Sequence, residues 1–183
     1  GNRTGKTTVG SFEVVLHATG RYQQYAPWWE GKRYERPISA IVAGDTNLTT
    51  RDILQTKLFG RLTRKTDDTL KEAIGLGTGM MPRDAIIRAT PRRGAEDAYE
   101  QVTVQHVSGG TSVIKLRSFE QGAEAFQGTE EDLIWLDENF PQSVYSESIT
   151  RLMTTEGHLL MTFTPINGVT QVIREFMDKA YRA

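Results

Sequence analysis

Cysteine is absent from the 183 residues, which excludes disulfides and thiolate metal sites and suits a reducing compartment. Histidine is scarce. His17, His106 and His158 are scattered, with no carboxylate or second histidine at ligand spacing, so each reads as structural. No run of about 18 apolar residues occurs, so no transmembrane helix is expected. No signal-peptide pattern opens the chain, and there are no internal repeats or low-complexity tracts. Charge of one sign is also lacking: 22 Lys and Arg stand against 23 Asp and Glu, a formal net charge of -1. Any contact with nucleic acid would need a local basic patch. What remains is 38% hydrophobic and 25% charged, the composition of one ordinary globular domain or most of one.

Apolar spacing predicts a helix over residues 6–19, with Val9, Phe12, Val15 and Leu16 on one side and Gly20 as its stop. An aromatic and charged connector follows over 21–37. The run "ISAIVAGD" (38–45) predicts a buried strand. Residues 49–60 predict a capped helix with Ile53, Leu54, Lys57 and Leu58 in register. "GLGTGMMP" (75–82) reads as loop, its glycines speaking only for flexibility. "YEQVTVQHV" and "TSVIKLRS" alternate in polarity around "SGG" and predict a hairpin. "EEDLIWLDE" (130–138) and "HLLMTFTP" (158–165) predict buried strands, and 169–183 an amphipathic last helix. Strands alternating with helices argue for an α/β fold with a mainly parallel sheet.

Two stretches carry chemistry. In "GNRTGKTT", backbone N–H groups of a glycine-rich turn can point at phosphate oxygens, aided by the positive end of the following helix. Gly5 permits close approach, Lys6 can set its ammonium on the β- and γ-phosphates, and Thr7 can offer a hydroxyl to Mg²⁺. The nucleotide-binding set is Gly1, Asn2, Arg3, Thr4, Gly5, Lys6, Thr7 and Thr8. Gly1 stands one position too near for the usual spacing of such a loop, and the tripeptide Gly-Lys-Thr also fits an incidental helix start. In "LIWLDE", Asp137 and Glu138 emerge at the end of a buried strand, where ligands of open α/β sheets bind. Asp137 can hold Mg²⁺ while Glu138 deprotonates an attacking water. A solvated acidic turn is the plainer alternative. Trp28 and Trp29 read as a satellite apolar cluster, and Arg92 and Arg93 as a solvated loop whose charge the following acids cancel.

Taken together, "GNRTGKTT", "SFEQGAEAFQGTEEDLIWLDE" and "LLMTFTPINGVT" resemble, in order, the ATPase domain of the large terminase subunit of tailed bacteriophages and prophages. The stretch "EQGAEAFQG" followed by "WLDE" is the most specific part. The resemblance implies a P-loop NTPase of the additional-strand, catalytic-glutamate type, binding ATP and Mg²⁺. It makes Lys6 and Thr7 the phosphate and metal ligands, and Asp137 and Glu138 the second acidic motif. Thr162, Thr164 and Pro165 become a motif that couples nucleotide state to DNA movement; without the resemblance, ordinary β-propensity on alternate residues is the preferred reading of the two threonines. Arg3 is implied to stabilise charge on the γ-phosphate, with a solvated loop residue as its alternative.

The resemblance further implies double-stranded DNA, a portal protein and a small terminase subunit as partners, a homo-oligomeric ring, no membrane, and the host cytoplasm as location. Such domains begin with a strand entering the phosphate loop and continue into a nuclease domain. The expectation is therefore that residues 1–183 are an ATPase domain cut from a longer subunit, with a β-hairpin inserted between its second strand and its acidic strand. Another P-loop translocase or helicase, or an inactive truncated prophage remnant, shares part of the pattern.

Overall fold

The structure, a computed structural model, describes residues 5–60, residues 75–164 and Arg174. Gly1, Asn2, Arg3, Thr4, Pro165 and all of the expected last helix except Arg174 lie outside the described residues. Helix α1 spans Lys6–Thr19 between two glycines in the left-handed region, Gly5 at φ 77° and Gly20 at φ 69°. Gly20 closes the helix by donating its N–H to the carbonyl of Leu16, the conformation glycine adopts at helix ends without a Cβ penalty. The buried face is Val14, Val15, Leu16 and Ala18, and the one-turn helix α2 (Tyr22–Tyr25) follows. Val9, expected on that face, is instead 60% exposed, because the first turn of α1 reaches beyond the sheet.

Six strands form one sheet in the order β2-β3-β4-β1-β5-β6. They are β1 (Ser39–Gly44), β2 (Ile86–Pro91), β3 (Tyr99–Gln105), β4 (Thr111–Ser118), β5 (Leu133–Asp137) and β6 (His158–Thr162). β4, β1, β5 and β6 run parallel, whereas β2-β3 and β3-β4 are antiparallel. The sheet is thus mostly parallel, as expected. The expected hairpin, β3–β4, falls in sequence between β1 and the acidic strand β5 and is built into the sheet: β4 lies directly against β1, with Val42 opposite Leu116. The pairing follows from composition, since Ile114 and Leu116 are buried apolar residues that only an interior position can cover.

Alternation divides the strands between two faces. Ala40, Val42, Leu133 and Trp135 share a cluster with Val14, Val15 and Ala18 of α1, while Ile41, Ala43, Ile134 and Leu136 pack against Phe119, Phe126, Val144 and Leu152 on the other side. Val144 and Leu152 belong to α5 (Gln142–Met153), a helix not anticipated from its polar sequence. The helix expected over 49–60 forms as one run: α3 (Asn47–Thr49), a π-helical stretch Thr50–Gln55 and α4 (Thr56–Phe59). Leu54 and Leu58 are buried, but Ile53 is half exposed.

The glycine-rich segment 75–82 is docked on that helix. Gly77, Met80 and Met81 donate their N–H groups to the carbonyls of Phe59, Lys57 and Leu58, satisfying the acceptors a helix end leaves open. Trp29 packs with Leu16, Tyr22 and Ala26, while Trp28 is exposed. Arg92 is not solvated: it bonds Glu100 (3.1 Å), the Leu116 carbonyl (2.5 Å) and Asn47, and so ties three strands to the start of α3. Among the described residues, no helix is long and apolar enough to cross a membrane.

Candidate functional site

Parallel strands bring their carboxyl ends to one edge. There β5 ends in Asp137, β6 in Thr162, and the N-terminus of α1 arrives from above. Residues 130 apart in sequence meet: Thr7 Oγ1 donates to Asp137 Oδ2 at 3.3 Å. Register sets the other side of the carboxylate, since Asp137 pairs with Thr162 across β5 and β6. Thr162 Oγ1 donates to Asp137 Oδ1, and itself accepts from Trp135 Nε1 at 2.7 Å. Trp135 shares a strand face with Asp137, two residues on. The chain Trp135–Thr162–Asp137 therefore holds the carboxylate in one orientation.

Burial pushes the Asp137 carboxyl above the usual aspartate range. The hydroxyls of Thr162 and Thr7 and the charge of Lys6 oppose that rise, and the neighbouring Glu138 adds to it. Glu138 is exposed and sits at φ 75°, a region that costs a non-glycine residue about 1–3 kcal/mol. Its N–H is tied to the Thr162 carbonyl at 2.6 Å, which turns the chain sharply out of β5 and sends the side chain over the strand ends.

A cleft of about 950 Å³ opens at this edge, lined by Gly5, Lys6, Thr7, Thr8, Asp137, Glu138 and Thr164 on one side. The opposite wall is Asp52, Ile53, Thr56 and Lys57 of the π/α helix, with Thr78, Gly79 and Met80 of the glycine-rich segment. Of the residues singled out in the sequence, the cleft thus gathers Gly5, Lys6, Thr7, Thr8, Asp137, Glu138 and Thr164. Thr162 lies behind Asp137. Lys57 was expected on the apolar face of its helix and is found in this wall. So is Ile53, whose exposure follows from lining a cleft. Lys57 four residues after Ile53 was the available signal, because a lysine at i, i+4 from an apolar residue marks a face that solvent reaches.

A second grouping lies away from this edge. Glu13 and His17 of α1 meet His158 at the start of β6, with their ligand atoms within 4.8 Å of one another. The histidines are scattered in sequence, but the fold brings a carboxylate and a second histidine to His17. The signal in the sequence was Glu13 at i, i+4 from His17 on a helix; only the fold could add His158.

Among known proteins, residues 1–182 match the family described as terminase large subunit, T4likevirus-type, N-terminal. The large terminase subunit of Salmonella phage P22 is 29% identical over 191 residues, a span covering 97% of this chain and 37% of that protein. The chain thus spans little more than a third of the length of the curated relative it matches. No solved structure matches it. A family match over nearly every residue, on a fold that joins the lysine-bearing helix start to the paired acids, places the chain in the terminase large subunit family, in its N-terminal region.

Proposed function

We propose that this chain is the ATP-hydrolysing motor domain of a DNA-packaging terminase. The observation that supports the reading best is the Thr7–Asp137 hydrogen bond within a cleft that also holds Lys6 and Glu138. A hydroxyl and a carboxylate supply the oxygen ligands that a hard divalent cation prefers. Thr7 and Asp137 would hold Mg²⁺, which when bound neutralises charge on the β- and γ-phosphate oxygens. A buried carboxylate whose proton is held too tightly gains from such a charge.

The residues divide the remaining work. Lys6 and the N–H groups at the start of α1 bind phosphate oxygens, with residues 1–4 completing the loop. Glu138, exposed in the cleft just beyond the end of β5, takes a proton from water. The water oxygen forms its bond to the γ-phosphorus as the bond to the β–γ bridging oxygen breaks, leaving ADP and phosphate. Arg3 adds positive charge at the γ-phosphate. Thr162 is bonded to the metal-holding Asp137 and is the last residue of β6, two residues before Thr164, so it carries a change at the carboxylate into β6. By this reading the intact subunit acts on double-stranded DNA in the host cytoplasm, as a ring with portal and small-subunit partners.

The test uses the full-length subunit. Glu138→Gln should keep ATP binding and lose turnover by about 10²–10⁴-fold, and Lys6→Ala should lose triphosphate binding. Hydrolysis at the parental rate by the Glu138→Gln subunit would refute the assignment.

A further inference from the structure

Glu13 Oε1 lies 3.7 Å from His17 Nε2 and 3.7 Å from His158 Nε2. Both distances exceed a hydrogen bond, so two imidazole nitrogens face one carboxylate oxygen across a gap that neither closes. His17 is fully buried, and its Nε2 has no hydrogen-bond partner. A buried polar atom left in this way is destabilising until a partner satisfies it.

The other face of His17 is fully engaged. Its Nδ1 shares a 2.8 Å hydrogen bond with the Tyr22 hydroxyl, whose oxygen also accepts from the Tyr34 N–H at 2.8 Å. The rings of Trp29 and Tyr34 stand edge-on to the imidazole. This is the arrangement of a metal-binding histidine, in which a second-layer partner on one nitrogen aims the other at the ion.

We propose that Glu13, His17 and His158 form a divalent transition-metal site of the zinc type, clipping α1 to β6. Two imidazoles and a carboxylate are a known zinc set, and ligand atoms around a tetrahedral zinc sit roughly 3.3 Å apart, so small side-chain movements complete the site. His158 is partly exposed and Glu13 slightly so, which opens a path for the ion and leaves a fourth position for water. The site is independent of the nucleotide cleft: His17 lies eleven residues beyond Lys6, roughly 16 Å along the helix axis. Yet it joins the two elements that carry Thr7 and Thr162, and would hold their spacing.

The test takes the full chain without a polyhistidine tag, stripped with chelator and titrated with zinc by calorimetry and with cobalt by visible absorption. The expected result is one equivalent of zinc, a tetrahedral cobalt spectrum, and a melting temperature that rises with zinc concentration. His158→Gln and Glu13→Gln, both at partly exposed positions, should fold and lose at least about tenfold in zinc affinity. Asp137→Asn should keep it. A flat zinc titration, or unchanged affinity in His158→Gln, overturns the proposal. So does a melting temperature that rises on acidification and ignores zinc, which would identify a charged histidine–glutamate cluster instead.

Discussion

Gly10 of α1 lies against the indole of Trp135: a Cβ at Gly10 would fall 2.8 Å from Trp135 Nε1, and closer still to Cε2 and Cζ2. The same Nε1 donates to Thr162, which donates to Asp137. A missing methyl group on one helix therefore determines where the carboxylate of the cleft stands.

Gly10→Ala sets two effects against each other. Alanine improves helix propensity by about 1 kcal/mol, while overpacking costs about 1–3 kcal/mol. Trp135 is fully buried and cannot swing aside, so packing should win. The variant is expected to melt at lower temperature and, in the intact subunit, to hydrolyse ATP more slowly. A thermal melt showing a gain in stability would contradict the close approach.

Asp137 should make stability depend on pH in an unusual direction. Its pKa is raised by burial, so the folded state holds the proton more tightly than the unfolded chain does. The favourable contribution is complete below the ordinary aspartate value, about 3.9, and is lost as pH rises through the higher folded value. Without nucleotide or divalent cation, Asp137→Asn should therefore melt above the parent at about pH 7, with the gap narrowing toward about pH 4. Melting curves across that range check it; a gap that widens toward acid would reverse the sign.

Glu138 occupies a strained backbone position for the sake of its side chain. Glu138→Gly should be more stable than Glu138→Ala by about 1 kcal/mol, since only alanine keeps the left-handed strain. Both should lose ATP turnover. Denaturant unfolding of the pair isolates the backbone effect, and equal stabilities would show that φ 75° is not strained here.

Glu131 is completely buried and accepts hydrogen bonds from Lys115 Nζ at 2.6 Å and from Ser39 Oγ at 2.7 Å. Lys115→Met strands that charge and should cost about 3–5 kcal/mol. Adding Glu131→Gln should recover much of the loss, because the remaining hydroxyl partners, Ser39 and Thr129, can bond an amide. The double variant being no more stable than Lys115→Met would sink this account.

Much of the fold was readable from the chain. The bounds of α1, the strands β1, β3, β4, β5 and β6, and the run of helix up to residue 59 all follow from apolar spacing and glycine stops. Two elements were not. β2 ends in Pro91 and carries Arg88 at the sheet edge, where alternation is weak. In α5 the buried stripe is only Val144, Ser148 and Leu152, and a serine in the middle hides the helical period. Val9 and Ile53 differ from expectation for a third reason: apolar periodicity cannot distinguish a side chain facing the core from one facing solvent or, as with Ile53, a cleft.

The sequence alone determined the local chemistry: a helix beginning at Gly-Lys-Thr, a strand ending in Asp-Glu, and a threonine-bearing strand after it. Those are matters of neighbouring residues, and short-range sterics and polarity suffice to decide them. Only the tertiary structure decided which of these groups meet. Parallel register put Thr162 beside Asp137. The absent Cβ of Gly10 let α1 settle onto Trp135, and the packing of α1 along β6 brought His158 to Glu13 and His17. Such convergence depends on the burial of distant surfaces against each other, which no stretch of neighbouring residues contains.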